Sequence, residues 1–329
     1  MIPISVIIPM YNSELYISRC LDALISQNID IEIICVNDGS YDRTSDIVKA
    51  YSRRYSNIII IEQENKGQSS ARNKGLEYAS GQYVFFCDSD DYIDSNSLEE
   101  LYSIAIKYDL DILKTGWKTV IGNDIFYTYV KKSLPLNMVI SSSVFLTETC
   151  LKWHQVVPVN GLVKLGFLNE NNLRFPEGIQ FEDNFFHLSM LLAQRRSSRC
   201  MLIDSTFYTY TINPGSTTTQ SVTPKKLYDQ LENVSLMKDL IEQSKLNETE
   251  YRAAMASVSS LLFTFTSYYY RLPKIEQKKF KSSFNKRIFI QAIKYSPSIF
   301  QKTKLFLFIY LPIILDIYSD IKLVCSRTR

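Results

Sequence analysis

The residues best suited to chemistry stand in one short stretch, Tyr83-Val84-Phe85-Phe86-Cys87-Asp88-Ser89-Asp90-Asp91. An apolar, strand-forming run stops abruptly at three carboxylates within four positions. Carboxylates repel one another and are costly to take out of water, so such a group calls for a cation or for solvent. Asp88 and Asp90 flank one small residue, Ser89. That spacing lets two carboxylates address a single hard divalent ion whose remaining positions go to waters and phosphate oxygens. One reading is therefore a metal–diphosphate site. The other is a solvated acidic turn ahead of the next helix, because Asp-x-Asp alone is a short and common pattern.

The elements that must position these residues follow from periodicity. Ile4 to Ile8 reads as a buried strand closed by Pro9, and Ser13 as the cap of a helix running to about Gln27. Strands follow at Ile31–Val36, ending in Asn37-Asp38-Gly39-Ser40, and at Ile58–Ile61. Helices are expected from about Arg43 to Tyr55 and from Gln68 to Tyr78. The strand Tyr83–Cys87 comes next, and then a helix from near Ser95 to near Tyr108. Such β-α alternation implies a parallel sheet with helices on both faces, whose ligands bind outside the carboxyl ends of the strands. Tyr11 and Asn12, Asp38, and Asp88–Asp91 all fall at those ends. Their common topological position favours a functional crevice more than any one cluster does.

Beyond residue 110 the pattern is looser. Asp111–Trp117 and Lys118–Tyr129 read as strands with a turn at Gly122-Asn123-Asp124, and Ser141–Leu151 reads as a helix. Glu182-Asp183 precedes an apolar helix, Phe185–Leu192. Strands follow at Cys200–Ile203 and Phe207–Thr211, and from Pro224 onward the pattern is helical. Three regions are expected: residues 1–110 and 111–222 as two halves of one α/β domain, and 223–329 as a helical, basic extension.

The chain has 329 residues, 46% hydrophobic and 22% charged, which fits a globular protein. Its net charge of +3 hides an asymmetry, since from Arg271 onward there are 13 Lys or Arg against 3 Asp or Glu. A basic, aromatic-rich tail points to an anionic neighbour. The run Leu305–Leu315 is too short to span a bilayer, which takes ~20 apolar residues, and reads equally as a core helix or an interfacial anchor. Six scattered cysteines without a C-x-x-C pair fit reduced thiols better than a disulfide framework or a zinc site. No signal peptide is expected after Met1-Ile2-Pro3. No G-x-G-x-x-G or G-x-x-x-x-G-K-[ST] occurs, which argues against a dinucleotide site and a P-loop ATPase.

Four segments together carry a family resemblance: Ser5-Val6-Ile7-Ile8-Pro9-Met10-Tyr11-Asn12, Val36-Asn37-Asp38-Gly39-Ser40, Asn65-Lys66-Gly67-Gln68-Ser69-Ser70-Ala71-Arg72-Asn73-Lys74-Gly75-Leu76, and Asp88-Ser89-Asp90-Asp91. In order and spacing they resemble the family 2 glycosyltransferases, which have the GT-A fold. The likeness is specific to about residue 110. It is weaker from there to about Thr218, through Glu182-Asp183, Tyr208, Tyr210 and Pro214-Gly215-Ser216. It implies a nucleotide-diphosphate-sugar donor, a UDP-sugar above all, a Mn²⁺ or Mg²⁺ ion, and sugar transfer with inversion. By the same resemblance Asp38 meets the base, Pro9 and Tyr11 wall the nucleoside, and Arg72 supports the pocket. Asp88 and Ser89 border the ribose and diphosphate, and Asp90 is the main metal ligand, with Asp88 assisting. Asn37 stands where the family often has Asp, and Lys66 where it often has Gly; a solvated Lys66 is the expectation.

A general base must also take the acceptor's proton. Glu182 and Asp183 stand at a predicted helix N-terminus, where the dipole favours an ionised carboxylate. Asp183 either caps that helix or serves as base, and the resemblance favours the base, with Glu182 next in line. His187 is expected to be packed or solvent-facing, and Trp153-His154 are candidates for the acceptor half. The expected acceptor is a hydroxyl of a lipid-linked or surface-polysaccharide precursor, with no nucleic-acid partner. The expected location is the cytoplasm, peripheral on the membrane's inner face. The alternatives are a nucleotidyltransferase, against which the glycine-free Pro9-Met10-Tyr11-Asn12-Ser13 argues, and a non-catalytic nucleotide-sugar-binding module.

Overall fold

The computed structural model describes residues 2–152, 158–213, 221–281, 285–312 and 314–315. Trp153, His154, Pro214-Gly215-Ser216 and Cys325 lie outside the described residues. The elements run β1 (Ile4–Met10), α1 (Ile17–Ile25), β2 (Ile31–Asp38), α2 (Thr44–Ser52), β3 (Ile58–Gln63), α3 (Gln68–Tyr78), β4 (Tyr83–Phe86), β5 (Tyr92–Ile93), α4 (Ser97–Lys107) and β6 (Ile112–Lys114). They continue with β7 (Trp117–Ile121), β8 (Asp124–Thr128), α5 (Ser142–Lys152), β9 (Gly161–Lys164), α6 (Leu165–Glu170), α7 (Glu182–Leu192), β10 (Cys200–Leu202) and β11 (Tyr208–Thr211). Five helices follow among the described residues: α8 (Pro224–Gln243), α9 (Glu248–Tyr269), α10 (Lys274–Lys281), α11 (Lys286–Tyr295) and α12 (Ile299–Tyr310).

The chain divides into two compact units. The first comprises Met1–Phe145, Val156–Gly178 and Ser189–Gln220; the second comprises Leu146–Gln155, Ile179–Leu188 and Ser221–Arg329. The first unit is built on a seven-stranded sheet of order β10-β6-β9-β4-β1-β2-β3. Every residue of β1 and β2 is buried, so both read as mostly apolar rather than alternating, and their interior polar residues meet one another, the Ser5 hydroxyl donating to Glu32. β1 pairs in parallel with β2 and with β4, so these three strands end along one edge of the sheet, as the β-α alternation predicts. Only β9 runs against its neighbours, β4 and β6. A second sheet, β5-β11-β7-β8, completes the unit.

Small residues permit the close approaches this arrangement needs. A Cβ on Gly75 of α3 would stand 2.4 Å from Ile7 of β1, and one on Gly161 would stand 1.9 Å from the carbonyl oxygen of Leu113. The latter contact lies in β9, which at four residues opened by a glycine is too short for its periodicity to predict a strand. β5 and α6 were not anticipated either, being two and six residues long. The strand expected over 111–117 stops at Lys114, because Gly116 lies against the carbonyl of Thr128, 2.2 Å from where a Cβ would be. The expected cap at Ser13 is also revised. Its carbonyl accepts the amides of Tyr16 and Ile17, but its hydroxyl is paired with Ser89, and α1 has no side-chain cap.

The second unit is helical. α8 opens with Thr223 capping the amide of Lys226 and Pro224 in its first turn, and α9 with a capping box of Asn247 and Glu250. Its aromatic core joins Phe265 and Tyr269 of α9 to Phe289 of α11 and Phe308 of α12; the Phe308 ring lies 5.1 Å from Tyr269 and 5.3 Å from Phe289. The apolar run of α12 is therefore split. Leu305 and Phe308 are buried, whereas Phe306, Tyr310 and Leu311 are about half exposed.

That split predicts a contrast. Phe308→Ala should cost roughly 3–5 kcal/mol, as truncation of a buried aromatic does. Phe306→Ala should cost less than about 1 kcal/mol, because its side chain already meets solvent. Urea unfolding of the two variants, followed by helical circular dichroism, measures the difference.

Candidate active site

Within the first unit the ends of β1, β2 and β4 gather most of the residues that the sequence singled out. Asp38 closes β2 and is buried. Its Oδ1 accepts the amide of Lys66 at 2.8 Å and Gln63 Nε2 at 2.7 Å, and its Oδ2 accepts the amide of Gly67 at 2.8 Å. Asp38 therefore holds the loop that launches α3. Gly67 has φ +90°, a conformation that suits glycine, and it lets two successive amides turn toward one carboxylate. Asn37, where the family often has Asp, gives Nδ2 to Glu62 and receives the amide of Ser40 at 3.2 Å on Oδ1.

Pro9 lies in β1, opposite Val36, and is buried. Tyr11 follows at the strand end, 48% exposed, with its ring edge-on to that of Tyr41 at 6.1 Å. Tyr41 is itself 82% exposed, and the amide of Tyr41 donates to Asn12 Oδ1. Two rings thus stand out from neighbouring strand ends. Tyr41 was missed in the sequence because it lies in a loop with no periodic signal. Its place beside the Asp38-Gly39-Ser40 turn was the available clue.

The three carboxylates after β4 separate into three environments. Asp88 Oδ1 accepts Arg72 Nη2 at 2.9 Å and Gln68 Nε2 at 3.0 Å, while Oδ2 takes no hydrogen bond among the described residues. Arg72 comes from α3, is buried, and lies over the Phe175 ring at 5.1 Å. Ser89 is buried and shares a hydrogen bond with Ser13 at 2.7 Å. Asp90 accepts Asn213 Nδ2 at 3.2 Å. Burial, and next the charge of Asp88, hold the Asp90 carboxyl above its ordinary range. Asp91 is different: it is fully buried and accepts the Tyr208 hydroxyl and the amide of Thr211. Burial, then Asp88 and Asp90, push its carboxyl up to about 9. Asp91 thus serves the packing of β11 and is not a group presented to a ligand.

A divalent ion fits the pair Asp88 and Asp90. The raised Asp90 carboxyl and the unused Oδ2 of Asp88 are what a cation would relieve. Among the described residues no group of three or more His, Cys, Asp or Glu is arranged to hold a metal. An ion here would take two protein carboxylates and complete its shell from water and phosphate oxygens, as Mg²⁺ commonly does. Among the described residues the cysteines supply no nucleophile. The five described ones are free and buried, and burial raises the thiols of Cys150 to about 11 and Cys200 to about 12.

Glu182 and Asp183 belong to the second unit, where they form the first turn of α7. This is the helix N-terminus that the sequence predicts, reached three residues earlier than the apolar run itself. Both side chains are part-exposed, and Asp183 Oδ1 receives the amide of Asn184 at 2.9 Å. His187, one turn on, is buried. Lys66 is exposed.

Comparison with known proteins agrees with this architecture. The profile of "Glycosyl transferase family 2" matches residues 5–160. The chain is 38% identical over 225 residues to the uncharacterized glycosyltransferase EpsJ of Bacillus subtilis, covering 66% of this chain and 64% of EpsJ. It is 30% identical over 231 residues to the glycosyltransferase GlyG of Streptococcus pneumoniae, covering 65% of this chain and 72% of GlyG. Staphylococcus aureus TarS, a poly(ribitol-phosphate) β-N-acetylglucosaminyltransferase, is 27% identical over 272 residues, 81% of this chain and 45% of TarS. The crystal structure of TarS 1–349 in complex with UDP-GlcNAc superposes with a TM-score of 0.73 at 22% identity, covering 97% of this chain and 89% of that one. The chain spans less than two thirds of EpsJ and less than half of TarS. With the strand-end residues, the mostly parallel sheet and these relatives in agreement, the chain belongs to glycosyltransferase family 2 and has its GT-A fold.

Proposed function

We propose that the protein is an inverting, metal-dependent glycosyltransferase that moves a sugar from a UDP-sugar to a hydroxyl of a surface-polymer or lipid-linked precursor. The observation that carries the reading is the Asp88–Asp90 pair at a strand end, one carboxylate fixed by Arg72 and the other held above its ordinary range by burial and, next, by the charge of Asp88. A buried repulsion of this kind suits a site that waits for a cation and a diphosphate. The UDP-GlcNAc held by TarS supports the donor class, and the poly(ribitol-phosphate) named for TarS supports a polyol-phosphate polymer as the acceptor class.

The residues then divide the work. Tyr11 and Tyr41 flank the base, and the remaining lone pair of Asp38 Oδ2 accepts the N3–H of uracil. Asp90 and Asp88 would hold the Mn²⁺ or Mg²⁺. When bound, that ion supplies charge neutralisation to the leaving diphosphate. The bond from the anomeric carbon to the diphosphate oxygen breaks as the acceptor oxygen bonds from the opposite face. Asp183 takes the hydroxyl proton, with Glu182 as the neighbouring carboxylate.

A contact with the inner face of a membrane belongs to the same proposal. No helix among the described residues is long and apolar enough to cross a membrane. The exposed Ile299, Phe300, Phe306 and Tyr310 lie on the same short helix as Lys302 and Lys304. Partial burial of those apolar side chains, with the attraction of Lys302 to anionic headgroups, gives reversible binding. Such binding would keep the enzyme beside a lipid-linked acceptor.

Three variants test these roles in an assay of UDP release from UDP-GlcNAc and UDP-glucose, with Mn²⁺ and poly(ribitol phosphate) as acceptor. Asp90→Asn should lose turnover, and EDTA should do the same to the wild type. Near-normal activity of that variant in EDTA would overturn the metal assignment. Asp183→Asn should slow turnover by roughly 10²–10⁴ while leaving UDP binding intact, the scale of a lost general base. Wild-type turnover would move the role first to Glu182. Asp38→Ala should raise the donor KM more than it lowers kcat, because that contact is remote from the reacting bond. Unchanged donor affinity would remove Asp38 from the site.

A further inference from the structure

The turn that precedes Glu182 and Asp183 is not held by α7 alone. Phe181 has φ +66°, the left-handed region that a bulky residue rarely adopts. A conformation of this kind persists only where its surroundings impose it. Those surroundings lie in the second unit. The carbonyl of Phe181 accepts the amide of Asn184 at 3.1 Å and Asn184 Nδ2 at 3.2 Å. It also accepts Nδ2 of Asn233, from the middle of α8. One turn earlier on the same face of α8, Asp229 Oδ2 accepts the amide of Gln180 at 3.2 Å. Asn233 is 0% exposed and Asp229 is buried, with Lys225 against its carboxylate at 2.7 Å. The Phe181 ring packs on Tyr268 of α9 at 5.8 Å. Two consecutive backbone groups, 180 and 181, are thus gripped from two consecutive turns of one helix and wedged against a second.

We propose that Asn233 and Asp229 are positioning residues: α8 fixes the turn at 180–181, and through it the direction in which the first turn of α7 presents Glu182 and Asp183. The inference rests on the assignment of Asp183 as the base. It gives the helical region after residue 221 a part in the reaction that the sequence did not suggest. Neither residue touches a reacting atom; each acts through the backbone that carries the carboxylates. Loss of Asn233 Nδ2 lets the strained Phe181 relax, and the carboxylates lose their fixed place while the nucleotide site of the first unit keeps its geometry.

The test compares Asn233→Ala, Asp229→Ala and, as a control on the exposed face of α8, Glu232→Ala, all in the full chain. Hydrogen exchange of peptides covering 179–190 reads the turn without any need for turnover. In the first two variants the amides of residues 184–187 should exchange about five- to tenfold faster, the scale of one lost net hydrogen bond. Peptides of the first unit and of α9 should be unchanged, and Glu232→Ala should match the wild type. UDP release from UDP-GlcNAc with Mn²⁺ gives the second reading: kcat falls and the donor KM stays. Unchanged exchange at 184–187 overturns the proposal, and so does a uniform rise across all of α8 and α9, which would mark a purely structural role. Faster exchange at 184–187, with normal turnover in Asn233→Ala and in Asp183→Asn alike, supports the grip and overturns the assignment of the base. If Asn233→Ala fails to fold, Asp229→Ala, which removes the other grip, decides on the same outcomes.

Discussion

Three like charges within four residues, at the end of a buried strand, are the constraint around which the first unit is arranged. Left alone, Asp88, Asp90 and Asp91 would repel one another in a poorly solvated place. The fold answers each separately. Asp91 turns inward and takes the Tyr208 hydroxyl and the Thr211 amide, fastening β11 of the second sheet to the end of β4. Asp88 receives Arg72, whose helix can lie close enough only because Gly75 lets α3 settle on Ile7. Asp90 is left with Asn213 and an unrelieved neighbour. The repulsion that makes this cluster costly is what the proposed cation would relieve.

Asp38 shows how a residue expected to recognise a ligand first has to build the site. Three donors converge on its carboxylate, two of them successive backbone amides of the loop before α3. The same loop delivers Gln68 and Arg72 to Asp88. The end of β2 is therefore coupled to the end of β4 through one short loop, and the proposed base contact and diphosphate contact depend on the same hydrogen bonds. A binding role and a structural role are not alternatives here. A carboxylate has about four acceptor positions, and three are spent on holding the loop.

The first 110 residues were legible because both faces of β1, β2 and β4 are buried, so the strands are mostly apolar, broken inside only by the paired Ser5 and Glu32, and their ends are marked by polar residues. The later part was harder for identifiable reasons. β9 offers four residues opened by a glycine that must touch the Leu113 carbonyl, and nothing in a pattern of period two or 3.6 announces that contact. Ser13 looked like a cap because hydroxyls commonly cap helices, but its partner is Ser89, 76 positions away, and only the folded chain reveals it. Tyr41, Gln63 and Asn213 are polar or exposed loop and strand-end residues whose roles come from what they meet. The Glu182-Asp183 pair was readable as a helix start, since acidic residues ahead of an apolar run are favoured by the dipole. The grip of α8 on the preceding turn was not, because it runs through a backbone carbonyl and an amide that no side-chain pattern encodes.

The apolar run near the end of the chain shows the same limit from another side. Residues 305–311 are Leu, Phe, Leu, Phe, Ile, Tyr and Leu, with no polar position to mark an outer face. A helix turns about 100° per residue, so a neighbour on one side can bury only some of these. Leu305 and Phe308, three apart, close the core over Phe265, Tyr269 and Phe289. Phe306 and Tyr310, four apart, lie tilted against one another with ring centroids 4.8 Å apart on the other side and stay half exposed. Of the two readings that the sequence posed, the core helix describes Leu305 and Phe308, and the half-exposed Phe306 and Tyr310 are left for the interfacial contact proposed above. A surface pair of aromatic rings next to lysines has little to gain in water, and its apolar area is what a lipid or polymer surface would cover. Cutting away the helix would strip the core and the outer face together, so the two can be separated only by substitutions confined to one face.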